Sequence, residues 1–191
     1  MTRRAALRAL AAAACIPLLA RAAVSTPEDS IYRLPATLVD QDGRRFELSS
    51  LRGTPMLFSM FYASCEMVCP LIFETIEATR RALLASGDGA INVLMLSFDP
   101  ARDSAEMLKK TAIAHGCDEH WTLARADDAT VRKVAAVMGV QYRKLSNGEF
   151  NHSTFIGVLD RSGRVVAKSG KLGSVDPVLV KAAKHAASVD G

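Results

Sequence analysis

The chain has 191 residues, 49% hydrophobic and 23% charged, with 24 Lys and Arg against 20 Asp and Glu, a formal net charge of +4. That length suits one globular domain with a single sizeable core, and 12 Gly and 7 Pro exclude a collagen-like or low-complexity chain. An excess of positive charge would suggest nucleic acid or an acidic membrane surface if it lay on the folded domain. It does not, because Arg3, Arg4, Arg8 and Arg21 fall within the first 22 residues, which hold no acidic residue, and the rest of the chain is net neutral. No nucleic-acid partner is expected.

Residues 1–22 read as an export signal: a basic start, an apolar stretch from Ala9 to Ala20, and Ala20-Arg21-Ala22 as a small-x-small cleavage pattern. Thr2-Arg3-Arg4-Ala5-Ala6-Leu7-Arg8 resembles the twin-arginine export consensus, with Ala where that consensus favours Phe, so the ordinary secretory route stays open. The apolar stretch is 12 residues long and carries Pro17, whereas a helix across a bilayer core needs about 20. A cleaved signal is therefore favoured over a permanent anchor, and membrane contact is expected only through an uncleaved anchor. Cys15, after Ala12-Ala13-Ala14, is a poor lipoprotein acceptor for want of Leu three residues before it. Residues 23–30 form a polar linker, and 31–191 the domain.

Leu34 to Asp40 alternates weakly and meets a turn signal at Gln41-Asp42-Gly43, with Phe46 to Leu48 as a return strand. Pro55 to Tyr62 is nearly all apolar, as expected of a strand buried on both faces. A helix follows from about Pro70, with Leu71, Ile72, Thr75, Ile76, Thr79 and Leu83 on its apolar face and Glu74, Glu77, Arg80 and Arg81 on its solvated one. Ile91 to Ser97 is a second buried strand. A helix capped by Ser104, a strand from Trp121 to Ala124 and a helix with Asp128 as cap come next. Thr154 to Leu159 and Val165 to Lys168 flank the turn Asp160-Arg161-Ser162-Gly163 as a hairpin, and Asp176-Pro177 starts a final helix to about Ala187. This order predicts an α/β, thioredoxin-like fold, a central mixed sheet flanked by helices, with an inserted helix-containing segment. Chemistry in such a layout belongs at the carboxyl ends of the parallel strands.

The first such end reads Tyr62-Ala63-Ser64-Cys65-Glu66-Met67-Val68-Cys69-Pro70. A disulfide here would close a very small loop and add little stability, so a purely structural pair is disfavoured. Pro70 suits the first helical position, which sets Cys69 against a helix N-terminus whose amides favour thiolate. Two convergent thiolates can exchange disulfides or bind a soft metal. A thioredoxin-type pair has two intervening residues rather than three, and a peroxidatic cysteine would have Thr where Tyr62 stands. His152, in Asn151-His152-Ser153, is the candidate third ligand, because in a thioredoxin-like arrangement its loop lies beside the helix bearing the cysteines. Two thiolates and an imidazole suit Cu(I) and tolerate Cu(II), whereas zinc would call for a fourth ligand.

Several motifs together resemble the Sco/SenC family of thioredoxin-like copper chaperones. They are Leu34-Pro35 through Asp42-Gly43, Leu51-Arg52-Gly53, Cys65-x-x-x-Cys69-Pro70, Ser97-Phe98-Asp99-Pro100-Ala101-Arg102-Asp103, Trp121-Thr122-Leu123 and His152-Ser153, in family order. The resemblance implies that Cys65, Cys69 and His152 ligate copper, that the cysteines switch between dithiol and disulfide, and that Asp99 lies near the site as a supporting or docking residue. It also implies a copper-receiving oxidase subunit, or a related copper enzyme, as partner, and a thioredoxin-like reductant to restore the dithiol in a periplasmic, oxidising compartment. Glu66-Met67 stands where many members carry Pro-Asp; Met67 offers a weak thioether contact or, more ordinarily, a packing residue. His115-Gly116-Cys117-Asp118-Glu119-His120 reads as an exposed surface cluster, and His185 as a solvated side chain.

Overall fold

The computed structural model describes residues 26–188. The expected export signal, Cys15 and the first residues of the linker lie outside them. Among the described residues no helix is long and apolar enough to cross a membrane.

Strand β1 (Thr37–Asp40) turns at Asp42-Gly43 into β2 (Arg45–Glu47), with the register Leu38 opposite Phe46. Asp40 holds the turn, its carboxylate accepting from the amides of Asp42 and Arg44 at 2.8 Å each. Strand β3 (Met56–Phe61) is buried at every residue. It pairs in parallel with β4 (Asn92–Ser97), which pairs in parallel with β5 (Trp121–Arg125). Side chains buried on both faces explain why these runs lack alternation in the sequence.

Helix α1 (Cys69–Ala85) joins β3 to β4, and α2 (Ala105–Ala114) joins β4 to β5. Ser104 caps α2, accepting from the Met107 amide at 3.2 Å. Helix α3 (Asp128–Met138) is capped by Asp127, which accepts from Thr130 N at 2.8 Å. The cap is thus one residue earlier than the expected Asp128: in Asp-Asp-x-Thr both acids fit the pattern, and only the extended backbone of Asp127 turns its carboxylate onto the helix.

A short hairpin, β6 (Tyr142–Lys144) and β7 (Phe150–His152), forms a separate two-stranded sheet. The sequence carries no signal for it, because three-residue strands have too few positions to show a period. The main hairpin, β8 (Ile156–Leu159) and β9 (Val165–Ser169), extends the large sheet from β3, and α4 (Pro177–Ser188) ends the described chain. The seven-stranded order is β2-β1-β5-β4-β3-β8-β9, a mixed sheet with its three parallel strands at the centre. Helix α1 packs against α4 and β3, α4 against β8 and β9, and α2 against β5 and β1.

Helix α1 departs from its expected faces at two positions. Leu71, placed on the apolar side, is 40% exposed, while Arg80, placed in solvent, is 4% exposed. Arg80 donates to the Ile91 carbonyl at 3.3 Å, pairs with Glu77 and Asp118, and lies over the Trp121 ring. Such partners offset the hydration that a buried guanidinium loses. Its hydrocarbon stem explains how it occupies an apolar stripe.

Candidate metal centre

β3 ends beneath the first cysteine. After Phe61 the backbone turns at once, with Cys65 N donating to the Tyr62 carbonyl at 3.2 Å. The loop is tied down from outside as well: Ala63 N donates at 3.0 Å to the carboxylate of Asp103, which also accepts from the Ser97 hydroxyl. Asp103 is 2% exposed. Burial raises its pKa, and the bonds from Ser97 and Ala63 act in the opposite direction without cancelling the rise. In the sequence Asp103 stands only as the end of a motif, and its second position in Asp-x-x-x-Asp is the signal for this role.

Helix α1 begins without a side-chain cap from Val68, the residue before it. The sulfur of Cys65 fills that place, accepting from Cys69 N at 3.3 Å. The N-terminal amides therefore serve Cys65 and not, as expected, Cys69. Burial alone would raise the Cys65 pKa, but the Cys69 thiol, the amides of Cys69 and Val68 and the Tyr62 hydroxyl outweigh it, leaving a thiol more acidic than usual. Cys69, the first helical residue, is buried, and burial followed by the adjoining Cys65 sulfur pushes its pKa far above the ordinary thiol range. All three described cysteines are free thiols.

His152 arrives on β7, not in an unstructured loop. Its Nδ1 lies 3.3 Å from the Ser153 carbonyl and 3.4 Å from Thr154 Oγ1. With the proton on Nδ1 donated to that carbonyl, Nε2 is left with a free lone pair. The imidazole stands edge-on to Tyr62 at 6.1 Å and against Phe98 at 5.0 Å between ring centres. Phe150 and Tyr142 complete an aromatic wall around Phe98. The ligand atoms of Cys65, Cys69 and His152 all lie within 4.8 Å of one another. Among the described residues, this is the group of His, Cys, Asp and Glu side chains gathered closely enough to hold a metal.

The two supporting candidates fall differently. Asp99 is buried and accepts from Arg102 Nε and, at 3.4 Å, from Lys144 Nζ. It thus links the segment after β4 to the β6–β7 hairpin and stands outside the three-ligand group. Met67 is 83% exposed, which rules out packing in this state. The His115–His120 cluster is less free than expected: His115 stacks on Phe73 at 4.0 Å, Cys117 is half-buried, and Asp118 pairs with Arg80. Burial raises the Cys117 thiol to about 12. His185 is exposed, as expected.

Two sulfurs and one imidazole nitrogen form a donor set for a soft, low-coordinate cation, and among the described residues no fourth carboxylate, thiol or imidazole joins them for zinc. Comparison with known proteins agrees in fold and family. The chain is 31% identical over 78 residues to the SCO1 protein homolog of Bacillus subtilis, a match covering 41% of this chain and 40% of that protein. The chain spans less than two thirds of the length of the curated relatives it matches. Bradyrhizobium japonicum ScoI, solved with copper bound, is 28% identical with a TM-score of 0.65, over 80% of this chain and 96% of that one. BsSco, described as a member of the Sco family of cytochrome c oxidase assembly proteins with a disulfide switch, matches in fold at 20% identity and a TM-score of 0.70. That match covers 82% of this chain and 94% of BsSco. The SCO1/SenC family profile spans residues 25–187, and the chain belongs to that family.

Proposed function

We propose that this protein is an exported copper chaperone, in which Cys65, Cys69 and His152 hold Cu(I), and tolerate Cu(II), for delivery to the binuclear copper site of cytochrome c oxidase or a related copper enzyme. The observation that carries this reading is the approach of the three donor atoms to within 4.8 Å of one another. The copper-bound Bradyrhizobium relative supports it. Binding displaces the thiol protons, and the acidic Cys65 gives up its own most readily. Oxidation of the pair removes two of three donors at once, so the site holds metal only as the dithiol.

A second reading, favoured by the unequal thiols, is reduction of a partner's copper-ligand cysteines. The Cys65 thiolate attacks the partner disulfide and expels one thiolate; Cys69 then loses its proton and closes on Cys65, releasing the second. Two electrons pass to the partner, and a thioredoxin-like reductant returns this chain's disulfide to the dithiol. Export, by cleaved signal or retained anchor, places both activities in the periplasm.

Anaerobic titration of the reduced protein with Cu(I), against a chromophoric chelator, tests the first reading. One tightly bound equivalent is expected, lost in Cys65→Ser and Cys69→Ser and weakened at least 10-fold in His152→Ala, as expected for removal of a ligand. Equal affinity in His152→Ala would overturn the three-ligand site. Disulfide exchange that needs both cysteines and is indifferent to His152 would establish the second reading.

A further inference from the structure

The three donors come from two separately built pieces of chain. Cys65 and Cys69 belong to the loop and helix that follow β3, whereas His152 sits on the β6–β7 hairpin, whose strands pair only with each other. Nothing in the large sheet's ladder fixes the distance between them, so other contacts must. Lys144 to Asp99 and Arg102 to the Gly148 carbonyl, at 2.6 Å, tie the hairpin to the segment after β4 rather than to the cysteine loop, and both cations stand partly in water.

Tyr62 is placed differently. It is 4% exposed and touches both pieces. Its carbonyl accepts from Cys65 N at 3.2 Å, and its hydroxyl donates to Glu149 Oε2 at 2.6 Å, three residues before His152 on the hairpin. Its ring packs against Phe150 at 5.1 Å and stands perpendicular to the His152 imidazole. Glu149 is itself fixed: its amide donates to Asn147 Oδ1 at 3.0 Å, and its carbonyl accepts from Leu145 N at 2.7 Å.

We propose that Tyr62 is a positioning residue for the metal site, its hydroxyl bolting Glu149, and with it the hairpin that carries His152, onto the loop that carries Cys65. A phenol–carboxylate hydrogen bond in a part-buried setting is stronger than one between neutral groups. Its loss leaves both cysteines in place and frees the imidazole to sample other distances. Tyr62 also faces the Cys65 sulfur, but its positioning effect runs through His152. The inference rests on the copper-binding reading above.

The test compares the full-length reduced protein with Tyr62→Phe and Glu149→Gln, each also combined with His152→Ala, by anaerobic Cu(I) competition against a chromophoric chelator. Tyr62→Phe, which keeps the ring, should weaken binding about 10-fold, the lower end for groups that orient a metal ligand. Glu149→Gln, which keeps an acceptor, should lose far less. In the His152→Ala background Tyr62→Phe should have a much smaller effect, confined to its contact with Cys65, because the residue it positions is gone. In the metal-free protein, Tyr62→Phe should also speed amide exchange across residues 142–152 while leaving β3, β4 and β5 unchanged. Parental affinity in Tyr62→Phe, or an equal loss with and without His152, would overturn the inference and leave the copper reading standing. A parent that binds no Cu(I) would overturn both, and the exchange measurement would then show only whether the bolt itself exists.

Discussion

Cys65 and Cys69 are the same residue type four positions apart, yet their protons are held very differently. The difference lies in their surroundings: the Cys69 thiol, the amides of Cys69 and Val68 and the Tyr62 hydroxyl all face the Cys65 sulfur, so the electropositive start of α1 acts on the residue before the helix. Cys69 is buried beside that sulfur, and the backbone bond it gains at Tyr62 does not offset the burial. In the reduced, metal-free protein, iodoacetamide at pH 7 should modify Cys65 at least 10-fold faster than Cys69, read by peptide mass mapping of partly alkylated samples. The sign follows from the direction of the shifts: a lowered pKa leaves more Cys65 thiolate at neutral pH, and the preference should narrow as pH rises and unperturbed thiols ionise too. Equal rates would mean that the helix amides do not govern the pair.

At the scale of elements, caps and ligand-bearing segments decide what the local pattern leaves open. Ser104 was legible as a cap because it is the one hydroxyl before an apolar, periodic run, and Ser104→Ala should cost about 1 kcal/mol in chemical denaturation. The start of α3 was legible only to within a residue: Asp127→Ala should lower the melting temperature and Asp128→Ala should leave it nearly unchanged, since Asp127 makes both bonds to Thr130. Strands β3, β4 and β5 were plain from their continuous apolar runs. The β6–β7 hairpin was not, although it carries His152, because its six strand residues are half-buried or exposed and show no hydrophobic pattern. Its place is set by aromatic contacts with Phe98 and Tyr62, which are distant in sequence.

Over the whole molecule, Arg80 connects elements that the chain brings together late. It joins α1 to the start of β4 through Ile91 and to the turn before β5 through Asp118 and the Trp121 ring. Burial raises the Asp118 pKa, but Arg80 outweighs it, and the carboxyl lies below its usual range. A depressed carboxyl contributes stability above its unfolded pKa and loses it as pH falls through the folded value. The stability advantage of the parent over Asp118→Asn should therefore be full at neutral pH and shrink as pH drops below about 4, the ordinary carboxylate range. A gap in melting temperature that is constant from pH 7 to pH 2 would show that the ion pair contributes nothing.

The amino-acid sequence alone determined the class of fold, the central strands and the identity of the three candidate ligands. Burial on both faces writes itself into a run of apolar residues, and soft-metal chemistry needs particular side chains wherever they lie. Tertiary structure decided which thiol the helix amides serve, that Arg80 is inside and Leu71 partly outside, and that Asp103 ties down the loop before Cys65 while Asp99 reaches across to the hairpin. These depend on the direction of a bond vector or on partners 38 to 45 positions away, and neither leaves a period in the chain.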